Sequence, residues 1–313
     1  MKTYTLILAL FLSATSTLFA QDELFKVLVT KGDNKYTSAT NTTPQALVVG
    51  KKLLSNDKVI VGTGGYLGLA HKSGKTIELK TPGTYDVTKL VSQVNTQNAS
   101  VSEKYVNYVA GQMTSNNEDL AANRHKYMAV TGSVERGTEK IKPVAPTSAT
   151  VLDELVILKW NAVKIPSSTA FAKAYIVTIT NMFDEVLLTK ETSDTQLVVD
   201  LGKLNLKTEK NLVWTVQVKE SPTLISEKYN LHYVTDDAKA NQLHTQFTTL
   251  KSELGEETAL NKLVLASFCA ENNLTLNAME YYEEAIKMEP DVDDYKVIYG
   301  KYMQQTGLVK VAK

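Results

Sequence analysis

Disulfide chemistry is missing from this chain: among 313 residues there is one cysteine, Cys269, so no intramolecular disulfide can form. An excess of one charge is missing too. Lys and Arg number 34 and Asp and Glu 34, and loss of Lys2 with an export signal leaves 33 against 34. That balance excludes the basic surface that nucleic acid or strong membrane adsorption requires. Histidine is scarce, with four in the chain. Beyond residue 20, no stretch reaches the ~18 apolar residues of a membrane-spanning helix. A composition of 43% hydrophobic and 22% charged residues excludes a wholly disordered or fibrous chain. About 293 residues (313 − 20) remain after the signal, room for two or three domains. A chain of that length buries roughly three-quarters of its unfolded surface and needs no disulfide or metal staple.

The first 20 residues read as an export signal. Lys2 supplies a positive start, Thr5 to Leu12 an apolar core, and Ser13 to Ala20 a mostly small-residue run before Gln21. The other reading of this segment is a buried N-terminal helix. No cysteine follows the apolar core, so a lipid anchor is not expected. Export to the periplasm is the first expectation, with secretion or outer-membrane association as alternatives. In a bacterial chain the triplets at Asn41, Asn98 and Asn273 are chance glycosylation matches.

From residue 23 to 85, short apolar runs alternate with turn clusters such as Lys31-Gly32-Asp33-Asn34 and Ser55-Asn56-Asp57. Strands at about ten-residue spacing indicate a small all-β unit. The period then changes. Leu90, Val91 and Val94 fit a short helix, and Val101, Tyr105, Val109 and Met113 mark one face of a second. Thr114 to Asp119 reads as a loop and Tyr127 to Val134 as a returning strand. These helices are expected to pack on the β unit or bridge to the next one.

Gly32, Gly50-Lys51-Lys52-Leu53, Asp57-Lys58-Val59 and the run from Leu69 through Gly74 to Leu79 resemble the FecR-like domain over about a fifth of the chain. The usual FecR regulators carry a membrane span and a cytoplasmic arm, and this sequence shows neither. The unit with its appended helices is placed at 21–136, followed by a proline-bearing linker at 137–147.

Residues 148–234 hold apolar strands at Leu155–Trp160, Ala174–Ile179, Glu185–Thr189, Leu197–Leu201 and Leu212–Val218. Trp214, Val216 and Val218 alternate, which buries one face. Trp160, Tyr175 and the Trp214-x-Val216-x-Val218 strand resemble a fibronectin type III or related immunoglobulin-like sandwich.

Residues 235–313 are helical in pattern. Thr235-Asp236-Asp237 is a candidate cap for a helix through Ala240, Leu243, Phe247 and Leu250, ended by Gly255. Leu260, Leu263, Val264 and Phe268 line the next helix, and Ala278, Tyr281, Tyr282, Ala285 and Ile286 its partner, stopped by Pro290. Leu265-Ala266, Ala278, Tyr282, Ala285 and Pro290 resemble a tetratricopeptide repeat. Asp291 is a candidate cap for a further helix closed by Gly307. One repeat and a half cannot bury a continuous core, so the pair must lean on the preceding helix or the sandwich. The fold class expected is therefore multidomain α+β: a small all-β FecR-like unit with helices, a β-sandwich, and a C-terminal tetratricopeptide-like hairpin.

No reaction is legible. The Gly62–Gly68 run lacks the glycine at Leu67 that a dinucleotide fingerprint needs, and another strand follows it instead of a helix. Gly74-Lys75-Thr76 lacks the phosphate-loop glycine at Leu69. Ser55 and Lys58 have the spacing of penicillin-recognising enzymes without their helix or K-T-G triplet. His71, His125, His232 and His244 show no ligand spacing. Cys269 falls on an apolar helix side, and Glu280, Glu283 and Glu284, with Glu283 paired to Lys287, read as a solvated face. No catalytic, cofactor-binding or metal residue is assigned and no cofactor is expected.

The expectation is a non-catalytic cell-envelope scaffold that binds protein partners. The alternative is binding of cell-wall glycan or another carbohydrate by the N-terminal unit, with Tyr66, His71 and Tyr85 as candidates for stacking and hydrogen bonding. A FecR-type signalling component and an enzyme with an unfamiliar site follow behind. The three-part combination resembles exported proteins of Bacteroidota.

Overall fold

Short strands closed by tight turns build the N-terminal unit. The computed structural model describes residues 22–94, 100–115, 122–132, 140–166, 170–204, 206, 210–234 and 238–309. The export signal, Asn98, residues 116–119 of the polar loop and the Thr235–Asp237 cap lie outside them.

Strands β1 (Glu23–Lys31), β4 (Lys52–Leu54), β6 (Tyr66–His71) and β7 (Thr76–Leu79) form one antiparallel sheet in the order β4-β1-β6-β7. Strands β2 (Lys35–Thr37), β3 (Gln45–Ala46), β5 (Lys58–Val61) and β8 (Gly83–Asp86) form a second, ordered β3-β2-β5-β8. Helix α1 (Val87–Val91) follows. Phe25, Val27, Leu53, Val59, Leu67 and Leu90 fill a core of their own inside this unit. Alternation along β1 and β6 sends Leu28, Tyr66 and Ala70 to the opposite face, where they join a larger core shared with helices.

Those helices come from two separated parts of the chain. Helices α2 (Ser100–Ser115) and α3 (Arg124–Gly132) precede the sandwich; α4 (Ala238–Leu254), α5 (Ala259–Glu271), α6 (Thr275–Met288) and α7 (Asp293–Gln305) follow it. In space, α2 packs on α5 and α4, and α3 packs on α7. The strand expected from Tyr127 to Val134 is thus overturned as far as Gly132, because Tyr127 inserts against Val297 of α7. Gly300 allows that approach: a Cβ there would overlap the backbone carbonyl of Tyr127. Gly74 (φ +82°), in the β6–β7 turn, likewise lies flush against the backbone of Glu103 in α2. The expected Asp291 cap is also corrected. Val292 takes the N-cap position, and Asp291 pairs with Lys31 at 3.6 Å.

Residues 148–233 lie between the helical halves in chain order and form two further sheets. Strands β10 (Leu155–Lys159) and β13 (Gln196–Asp200) face a larger sheet. That sheet runs β12-β11-β14-β16-β9, from β12 (Val186–Thr192), β11 (Tyr175–Asn181), β14 (Asn211–Val218), β16 (Tyr229–Tyr233) and β9 (Ser148–Val151), with β15 (Ser221–Ile225) on β14. Trp160, Trp214, Tyr175, Val216 and Val218 are buried between the layers. Helix α6 lies against β9 and β10, so sandwich and helices share one continuous apolar cluster. Among the described residues the buried apolar side chains group into two main clusters, one in the N-terminal unit and one shared by the helices and the later sheets.

Candidate functional site

The residues that sequence reasoning offered for chemistry are dispersed. Asn34 explains the glycine run after β5. Its buried amide donates to Thr30 Oγ1, Lys31 O and Tyr66 O at 2.9–3.0 Å, while its Oδ1 accepts from Gly62 N at 3.3 Å. The run is a turn tied into β6, and no helix opens from it. Ser55 lies in the β4–β5 turn, where its carbonyl accepts from Thr88 Oγ1, and Lys58 pairs with Asp86 at 3.6 Å.

The proposed glycan set does not assemble. Tyr66 is buried with its hydroxyl 2.7 Å from that of Tyr295 on α7, and burial holds its pKa far above the ordinary tyrosine value. His71 folds back on its own turn. Ser73 N donates to its Nδ1 at 3.1 Å, which leaves the ring proton on Nε2, and burial lowers its pKa. Tyr85 stands on the other sheet, with its hydroxyl on Thr81 O at 2.6 Å.

The remaining histidines stay apart. His125 is exposed, His232 Nδ1 meets Asn211 Oδ1 at 2.8 Å, and His244 Nε2 meets Val234 O at 3.3 Å. Among the described residues no group of three His, Cys, Asp or Glu side chains is placed to hold a metal. Cys269 is fully buried, and that burial pushes its thiol well above the ordinary range, away from the thiolate a nucleophile needs. A cavity of about 40 Å³ among the helices touches Tyr108, Ser267, Tyr282 and Tyr302. It is water-sized, not substrate-sized.

Glu280, Glu283 and Glu284 are half-buried, and two of them pair with other elements. Glu283 takes Lys159 of β10 and, at 2.8 Å, the hydroxyl of Tyr299, while Glu284 takes Lys262 at 2.9 Å. Sequence spacing alone had paired Glu283 with Lys287. Glu280 is pushed up to about 7 by burial first, then by Glu284 and Asp153, with Lys159 opposing. Asn277 completes this joint: its Nδ2 donates to Asp153 Oδ2 at 3.1 Å, and its Oδ1 faces Leu152 N at 3.5 Å. A matching joint holds the N-terminal unit. Glu78 accepts from Leu260 N at 2.8 Å, Lys75 reaches Glu253 O, Thr76 reaches Asn261, and Lys80 bridges Glu78 and Glu289.

With both β units clamped in this way, the far edge of the sandwich is the feature most open to a partner. The β11–β12 turn presents Met182, Phe183 and Val186 at 60%, 81% and 63% exposure. The turn is built for that presentation. Asn181, itself buried, accepts through Oδ1 from Phe183 N and Glu185 N at 2.9 and 3.0 Å. Asp184 takes a left-handed φ of 61° and pairs with Lys228 at 2.7 Å. Strand β12, which leads away from this tip, pairs among the described residues only with β11 and forms the rim of its sheet. Sequence reasoning did not single out this turn. Its signal was the Met182-Phe183 pair between Asn181 and Asp184, apolar bulk where a turn is ordinarily polar.

Compared with known proteins, the chain matches no protein-family model and no curated protein. No helix among the described residues is long and apolar enough to cross a membrane.

Proposed function

We propose that the chain is an exported, non-catalytic scaffold of the cell envelope that holds a protein partner at the sandwich tip. One observation carries this reading: three large apolar side chains, Met182, Phe183 and Val186, stand in solvent on a turn that buried Asn181 holds in shape. Clustered exposed apolar groups mark contact surfaces, and a preformed turn lowers the ordering cost of binding. The module identities belong to the same reading. The β12-β11-β14-β16 layer facing β10–β13 around Trp160 and Trp214 supports a fibronectin type III sandwich. The paired small sheets support a FecR-like unit, and the α5–α6 hairpin supports a tetratricopeptide-like one. Residues 1–20 support export, with the periplasm as first address.

The test is site-specific photo-crosslinking in cells, with a photoreactive residue at position 183 and a control at exposed Lys89. A discrete protein adduct from position 183 and none from position 89 is the expected result. Adducts at neither position, or equally at both, overturn the reading. Phe183→Ser should abolish capture of the crosslinked partner and leave thermal stability within about 0.5 kcal/mol of the parent, because an exposed side chain loses little burial.

A further inference from the structure

We propose that the crevice between β1, β4 and α2 binds a small anion through a carboxylate or phosphate group, held by Lys26 and Lys52. The register sets Lys26 directly opposite Lys52 on one side and Ala70 on the other. Residues directly opposite in a ladder point to the same face, so the two ammonium groups share it, and like charges so placed destabilise strand pairing. Glu23 compensates Lys52 at 2.7 Å and Asp22 compensates Lys72 at 3.0 Å. Lys26, half-buried, forms no ion pair among the described residues.

This uncompensated charge borders open space. Small side chains at Ala70 and Ala110 leave a cavity of about 200 Å³, walled by Lys26, Lys52, Lys72, Glu23 and Asn107. At roughly 30 Å³ of liquid per water, this is room for about seven waters, or for an anionic group carrying a few further atoms. Voids that stay dry are lined by apolar groups, and this lining is charged. Water would fill the space without balancing Lys26; an anion does both. The amide of Asn107, on the exposed side of α2, adds a neutral donor at the mouth. Inorganic phosphate and a sugar acid present the same chemistry. The inference is independent of the partner reading at the sandwich tip.

The test is a titration of the ¹⁵N-labelled mature chain with inorganic phosphate and, separately, with glucuronate. Amide shifts localised to Lys26, Lys52, Ala70 and Asn107, saturating and weakened by added salt, are the expected result. Response to one probe alone assigns the source. Lys26→Glu should abolish the shifts, Lys26→Met and Asn107→Asp should each weaken binding about tenfold, and Lys89→Glu should leave it unchanged. Lys26→Met keeps side-chain volume, so a folded variant remains if charge reversal disturbs the sheet. Phosphate should also raise the melting temperature of the parent more than that of Lys26→Met. Absence of localised shifts with both probes, or equal weakening by Lys89→Glu, overturns the proposal.

Discussion

Asn34 shows how much of the N-terminal unit hangs on one amide. It serves Thr30, Lys31, Tyr66 and Gly62 from a position only 3% exposed. Asn34→Ala removes those partners together and leaves buried carbonyl groups unpaired, at a cost of about 2–3 kcal/mol. Urea unfolding followed by circular dichroism measures it. Gly300→Ala separates two opposing effects. Helix propensity alone favours alanine by about 1 kcal/mol. The added methyl meets the Tyr127 carbonyl, which is backbone and cannot swing away. A net loss of about 1–2 kcal/mol is expected, and a gain would show that α3 does not sit against α7. Neither role can be read from the residue alone. Asn34 sits in an ordinary turn sequence, and Gly300 looks like a weak point in a helix until its neighbour from residue 127 is known.

The joint between α6 and the sandwich makes a pH prediction. The Glu280 carboxyl titrates near 7 in the fold against an ordinary 4.5. A carboxyl raised by folding lowers stability above its ordinary value: the penalty is full above about pH 7 and fades as pH falls towards 4.5. Glu280→Gln should therefore raise the melting temperature at about pH 8 and change little at about pH 5. A constant difference at both would show that the group is not burdened by its surroundings. At this scale the sequence is informative where periodicity is local. Tyr105, Val109 and Met113 on α2 are buried as their spacing implies, and so are Trp214, Val216 and Val218 on β14. It misleads where tertiary contact decides. Tyr127 to Val134 carries β-branched residues that suit a strand, but packing on α7 makes Arg124–Gly132 a helix. Glu280 and its neighbours look solvated because Asp153 and Lys159 arrive from another part of the chain.

The molecule as a whole should unfold as a unit. Both tryptophans, Trp160 and Trp214, lie in the sandwich, so their fluorescence reports that region, while far-ultraviolet circular dichroism reports the helices. Because one apolar cluster joins the two, their melting curves should coincide. Separate transitions would show weak coupling. Residues 235–313 alone should lack a cooperative melt, since α2 and α3 are missing from their packing. The one-and-a-half-repeat pattern shows that this tail needs support, but not that it comes from helices before the sandwich. The Tyr66–Tyr295 contact, finally, has a consequence in time. The two residues lie 229 positions apart. At about 5–20 residues per second, a ribosome makes the second tyrosine roughly 10 to 45 s after the first. Throughout that interval α2 can already pack on β1, but Tyr66 lacks the hydroxyl of Tyr295. That contact is therefore completed only when the final helix is made. A stop codon just before α7 would leave Tyr66, in the oldest part of the molecule, without that partner.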